Sequence, residues 1–335
     1  MIEVSKNLIG FEDNFNTIKN NFINNSLPNS LIFYGNKGIG KKTFSYSLIN
    51  NLFNYLSNDK STLNHTNLIY NNSHPNLRIL KNEFDEKTKK IKNFITIDQI
   101  RKLELFLNQS SVINFPKFII IDSADDLNTF SANALLKKLE EPKVNTYFFL
   151  IAHQISSLLP TIRSRCIKFK FANPTLQEFK KILLNNHDSI DTSIMDFLYD
   201  ISKGSPGLAL IYYFENIEET FHQLIRIFKE KKSLSSNILE LSNNVGTFNN
   251  EQFKIFLTLI KFILVNTTKI NLGINIQQFF VSDISKSLNE LSQFLNNNIA
   301  LNILEYLNIY EKDLFTFNLD KKIFSLNIFS PFSEI

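Results

Sequence analysis

Between the short apolar run Ser30–Tyr34 and a helical stretch from Lys42 to Leu56 lies Gly35-Asn-Lys-Gly-Ile-Gly40-Lys41-Lys42-Thr43. This GxxxxGK pattern constrains the fold more than any other feature of the chain. Glycines let backbone N–H groups converge on one concavity, and the helix that follows adds partial positive charge at its N-terminus. Lys41 is placed to reach outer phosphates as a point charge. The slot after the lysine normally holds Ser or Thr for magnesium, and here it holds Lys42. The hydroxyl of Thr43 comes one residue late, about 100° further round a helix. Two readings stay open: a nucleotide site formed by Gly35, Gly38, Gly40, Lys41, Lys42 and Thr43, with ATP and Mg²⁺ as its ligands, or a glycine turn without a ligand.

Further apolar runs follow the same rule. Lys117–Ile121 ends at Asp122, Tyr147–Ala152 ends at His153, and Ile167–Phe171 alternates; a strand is also expected near Leu77–Leu80. Helical patterns separate them, including a capping box at Thr96 and Gln99 and a helix from Ser131 to Glu141 stopped by Pro142. Continuous apolar strands alternating with helices predict a mainly parallel α/β sheet covered on both faces. Residues 57–93 are polar and read as a surface insertion or long loop. After Asn173 the texture turns helical, from a second capping box at Thr175 and Glu178 onward. The expected domains are 1–172, 173–240 and 241–335; the last stretch, Phe315–Ile335, is apolar without clear periodicity.

Asp122 has the position of a magnesium ligand on the second strand of a nucleotide site, or of a strand-end cap. Hydrolysis normally needs a second carboxylate directly after it to orient water. That position is Ser123, and Asp125 and Asp126 are expected to cap the following loop. Two of the five arginines, Arg163 and Arg165, fall within three residues. A guanidinium on such a turn suits a neighbouring subunit's phosphate site, or a surface salt bridge of small worth. His153 and Gln154 sit where a polar group could sense a phosphate. The five histidines show no metal-ligand spacing.

The 335 residues suit two or three domains, and 43% hydrophobic with 20% charged residues suits globular cores. Cys166 is the single cysteine, which excludes a disulfide framework and a multi-thiolate zinc site, and it reads as a buried hydrophobe. With no apolar leader at the start and no long apolar run, a cytoplasmic protein without membrane spans is expected. A net charge of +4 is too mild to argue for direct DNA reading.

Together these residues resemble the clamp-loader branch of the AAA+ ATPases, closest to the delta prime subunits of bacterial DNA polymerase III. The likeness runs from about Leu8 to Leu210 and rests on LIGFEDN, GNKGIGKKT, SHPNL, TIDQIRKL, FIIIDSADDLN, SANALLKKLEEP, LLPTIRSRC and GSPGLAL. It implies an AAA+ domain, a helical lid and an all-α collar that joins subunits. It implies a hetero-pentamer with delta and gamma/tau-type partners that loads a sliding clamp on primed DNA. It also implies that Arg165 projects into the adjacent motor subunit's ATP site as an arginine finger. Motor subunits carry a glutamate where Ser123 stands and a lid arginine where Gly207 stands, and the family's zinc cysteines are missing from residues 51–95. With Lys42, these departures weaken a self-contained ATPase. A motor-type subunit that hydrolyses ATP itself is the alternative, and an unrelated P-loop kinase lacks the arginine-rich lid it would need.

Overall fold

The computed structural model describes residues 8–57, 64–85, 90–92, 94–109, 115–187, 190–230, 235–274 and 282–334. The chain divides into two compact units, residues 1–186 with 205–207, and residues 187–204 with 208–335.

The first unit is built on five parallel strands: β1 (Ser30–Tyr34), β2 (Leu77–Leu80), β3 (Lys117–Ile121), β4 (Thr146–Ala152) and β5 (Ile167–Lys170). Their order across the sheet is β2-β3-β4-β1-β5, and register pairs Ile32 with Leu150, Phe33 with Phe169 and Ile120 with Phe149. Successive strand residues point to opposite faces. Leu31, Phe33, Phe118, Ile120, Phe149 and Ile151 therefore pack on one side, and Ile32, Ile119, Ile121, Phe148 and Leu150 on the other. Because both faces are apolar, both must be covered, as the continuous apolar runs demanded.

Helices α1 (Glu12–Ile23) and α2 (Lys41–Ser57) cover the first face through Ile18, Phe22, Phe44, Leu48, Leu52 and Phe53. On this side lies α3 (His65–Tyr70). The other face is covered by α4 (Ile97–Asn108) and α5 (Thr129–Glu140), through Leu103, Phe106, Leu135 and Leu139. The expected capping box at Thr96 and Gln99 opens α4. At its other end Lys117 is buried, and its Nζ donates to the carbonyls of Phe106, Leu107 and Gln109. A buried lysine thus satisfies carbonyls that a helix C-terminus leaves open. A one-turn helix, α6 (Pro160–Arg163), leads into β5, and α7 (Leu176–Asn186) opens on the second expected capping box, Thr175 with Glu178.

The expected long loop is partly a packed structure. Residues 58–63, 86–89 and 93 of it lie outside the described residues, but α3 and a short hairpin, Phe84–Asp85 with Lys90–Ile91, are present. His65 and His74 are each 3% exposed and stack on Phe53. Ser57 Oγ donates to Phe53 O and lies 2.8 Å from His65 Nε2, His65 Nδ1 lies 3.0 Å from His74 Nε2, and His74 Nδ1 accepts from Asn76 N–H at 3.1 Å. With Ser57 already donating, each Nε2 must carry the proton and each Nδ1 must accept, so the chain of bonds closes only with both imidazoles neutral. Burial accordingly pushes both histidines below their ordinary range, His74 to about 4. Polar residue names hid this packing, because histidine supplies an apolar ring as well as hydrogen bonds.

In the second unit every described element is helical. It comprises α8 (Met195–Ile201), the later part of α9 (Pro206–Phe214), α10 (Ile217–Glu230), α11 (Ser236–Gly246), α12 (Asn250–Asn271), α13 (Ser282–Phe294), α14 (Asn297–Thr316) and α15 (Lys321–Ile328). The long helix α12 opens on a capping box of Asn249 and Gln252 and buries Phe253, Leu257, Ile260 and Leu264. The apolar tail becomes α15 and a short 3-10 turn, which bury Phe324, Ile328, Phe329 and Phe332.

Candidate functional site

β1 ends at Tyr34, the chain turns through Gly35–Gly40, and α2 begins at Lys41. Gly35 is dictated by packing: a Cβ there would stand 2.3 Å from the carbonyl oxygen of Phe171. Gly38 and Gly40 hold φ of 81° and 101°, which L side chains rarely adopt. The loop is therefore shaped as the glycine pattern requires.

The lysines are held inside that shape. Lys41 is 3% exposed, and its Nζ donates to Gly35 O and Asn36 O, both at 2.6 Å. It lies 3.5 Å from His153 Nδ1. Burial pulls its pKa down to about 8 against the opposing pull of Asp125 and Asp122. Lys42 Nζ meets Asp122 at 2.8 Å. Lys42, which departs from the sequence pattern, and Asp122, which has the position of a magnesium ligand, are thus partners. Thr43 is half-buried on α2, one residue further round the helix.

An ammonium therefore stands against the carboxylate that a magnesium ion would use. Among the described residues, no group of three or more His, Cys, Asp or Glu could hold a metal ion. The neighbouring carboxylates are committed elsewhere. Asp125 accepts from His153 N–H at 2.6 Å, from Gln154 N–H at 3.2 Å and from Ser157 Oγ, and so caps the turn after β4. Asp126 accepts from Asn82 Nδ2 at 2.9 Å, and burial raises its pKa. His153 Nε2 lies 3.2 Å from Ser123 Oγ, which brings His153 between Lys41 and Ser123.

The segment Ser205–Gly207 closes on the loop from outside. Gly207 N–H donates to Gly38 O at 2.9 Å, and Ser205 Oγ donates to Lys37 O at 2.7 Å. A Cβ at Gly207 would stand 2.9 Å from Gly38 O and 3.0 Å from Gly38 Cα. The place where a side chain could point at a bound nucleotide is thus a backbone-to-backbone contact.

Arg165 is built differently. Ile162, 1% exposed, and Cys166, 7% exposed, anchor the turn in the core beneath α5, and burial raises the Cys166 thiol to about 12. Cys166 is thus the inert apolar residue that the sequence suggested. Arg165 itself stays at the surface, with 36% of its side chain exposed. Its Nη2 meets Glu140 Oε1 at 2.6 Å, and its Nη1 donates to Thr161 O at 2.9 Å and to Ser164 Oγ at 3.4 Å. The surface salt bridge held open by the sequence is present, and it leaves the guanidinium accessible.

Sequence reasoning missed Glu140, the Lys42–Asp122 pairing and the docking of Gly207 on Gly38. A signal existed for the pairing: a lysine in the metal-ligand slot and an aspartate in the metal-facing slot point at one place.

A family model described as DNA polymerase III, delta subunit, matches residues 11–175. The DNA polymerase III subunit delta' of Pseudomonas aeruginosa is 32% identical over 174 residues, covering 51% of this chain and 51% of that protein. The subunit delta' of Haemophilus influenzae is 30% identical over 230 residues, covering 67% of each. A gamma subunit-related protein of Thermotoga maritima covers 96% of this chain and 98% of its own, at 19% identity and a TM-score of 0.45. The matches span from about half to two thirds of the length of these two delta' relatives. The likeness to the delta' subunits places the chain: it belongs to the family of DNA polymerase III delta prime subunits.

Proposed function

We propose that this chain works in a clamp loader by lending Arg165 to the ATP site of a neighbouring subunit while turning over no ATP of its own. The observation that supports the reading is the Lys42–Asp122 ion pair at 2.8 Å, an ammonium against the carboxylate that a magnesium ion would use. Ser123 supplies no carboxylate to activate water, and Gly207 supplies no guanidinium from the lid side. Arg165 supplies the charge that this chain's own site cannot use. The glycine loop then acts as a rigid seat, held by Lys41 and by Ser205–Gly207.

In this reading the partners are delta and gamma/tau-type subunits of a cytoplasmic hetero-pentamer. The sliding clamp and primer-template DNA are engaged through that assembly. Residues 173–240 act as the lid and residues 241–335 as the collar that joins the subunits. No described helix is long and apolar enough to cross a membrane.

The test uses the assembled loader with every nucleotide site disabled except the one abutting Arg165. Arg165→Ala should lower ATP turnover there by about 10³–10⁵-fold, as loss of an arginine finger does in phosphoryl transfer. Full turnover by that variant would refute the role. Mg²⁺-dependent hydrolysis by the isolated chain, abolished by Lys41→Ala, would establish the motor-type alternative instead.

A further inference from the structure

We propose that Glu140 is a positioning residue for Arg165, fixing the plane of its guanidinium before the neighbouring phosphate arrives. This inference rests on the proposed role of Arg165. A guanidinium is planar and offers five N–H donors in fixed directions. Nη1 donates to Thr161 O at 2.9 Å and to Ser164 Oγ at 3.4 Å. Nη2 forms an ion pair with Glu140 Oε1 at 2.6 Å. Contacts at both Nη1 and Nη2 thereby hold the plane of the guanidinium, while a side chain 36% exposed stays open to an incoming anion.

Both ends of this contact rest on one core. Glu140 is the last residue of α5, whose Leu135 and Leu139 pack in the same apolar layer as Ile162 and Cys166 beside Arg165. The N-terminus of α5 is fixed by Asn128, whose side chain accepts from Ser131 N–H. The carboxylate is thus presented by the rigid scaffold, whereas the arginine stem is long and flexible. The two side chains are 36% and 44% exposed, so water screens their attraction and the pair adds little to stability. Its effect falls on orientation. Thr161 O and Ser164 Oγ belong to the arginine's own turn, whereas Glu140 ties the guanidinium to another element.

The test again uses the assembled loader with only the abutting site active. Glu140→Ala should lower kcat by about 10–100-fold, the cost of misplacing a catalytic group by about 1 Å, with KM within about twofold. Glu140→Gln keeps an acceptor oxygen for Nη2 and should restore most of the rate. Combining Glu140→Ala with Arg165→Ala should add no loss beyond Arg165→Ala alone. Melting temperatures of the variants should match the parent within a few degrees, which separates positioning from folding. Wild-type kcat in Glu140→Ala, or equal losses in the Ala and Gln variants, would overturn the inference. If Arg165→Ala abolishes turnover while Glu140→Ala does not, only the positioning role falls. If Arg165→Ala also leaves turnover intact, the arginine role falls with it.

Discussion

The glycine loop and the Ser164–Cys166 corner belong to one α/β unit, yet they treat their cations in opposite ways. At the loop, Lys41 is turned onto Gly35 O and Asn36 O, and Lys42 is paired with Asp122. At the corner, Arg165 is held by Glu140, Thr161 and Ser164 and keeps 36% of its side chain exposed. A buried ammonium must be satisfied internally, because desolvation without partners is expensive. A half-exposed guanidinium faces no such demand and can wait for a partner from another molecule. The loop's cations are thus satisfied within the chain, whereas the corner's guanidinium stays partly exposed to solvent.

Four measurements can break or sharpen that contrast. The largest effect belongs to the corner: Arg165→Ala should cost about 10³–10⁵-fold in turnover at the site it completes. Lys41→Ala in the same assembly should cost far less. Equal losses from the two variants would erase the contrast.

Acid should loosen the loop side first. His74 is neutral in the fold and titrates near 4 instead of 6.5. Between those values the unfolded chain binds the proton and the native state does not, so stability rises with pH across this window and is lost as pH falls through it. At about 1.4 kcal/mol per unit, the His74 contribution is about 3–4 kcal/mol. As pH falls from 7 to 4.5, hydrogen-exchange protection factors should drop in peptides around α2 and α3 before those around α6. Replacing His74 with Phe should flatten the pH dependence of urea unfolding, and an unchanged slope would remove the histidine pair from the account.

A smaller loss should follow Gly207→Ala. The new methyl meets backbone at 2.9 Å, so overpacking should cost about 1–3 kcal/mol. Thermal unfolding should show this as a drop of several degrees. Smallest of all is Lys42→Ala. Its pair with Asp122 has side chains 31% and 21% exposed, and removing it should cost less than about 1 kcal/mol. Phosphate release by that variant alone should stay at background, because Ser123 and Gly207 are unchanged. A measurable gain of hydrolysis would mean that Lys42 alone had been silencing the site.

Much of this molecule was legible before its structure. The runs Ser30–Tyr34 and Lys117–Ile121 match their strands, and Tyr147–Ala152 gains only Thr146. Both expected capping boxes formed, because each depends on residues three apart in the chain. Asp125, expected to cap the loop or helix that follows it, instead caps the turn after β4, about 28 residues on, a pairing that only the folded sheet creates. The stretch around His65 and His74 was misread as surface because composition does not reveal that two imidazoles can satisfy one another and bury their rings.

By itself the sequence determined the layers: apolar runs that can be buried only as central strands, glycines that shape one loop, and capping residues that start helices. These are local matters, settled by sterics and by side chains a few residues away. Only the tertiary structure decided which charge meets which. Lys42 finds Asp122, Arg165 finds Glu140, and Gly207 finds Gly38 across long stretches of chain. Such pairings depend on distances of a few ångströms between separate elements, and those distances exist only once the core has packed.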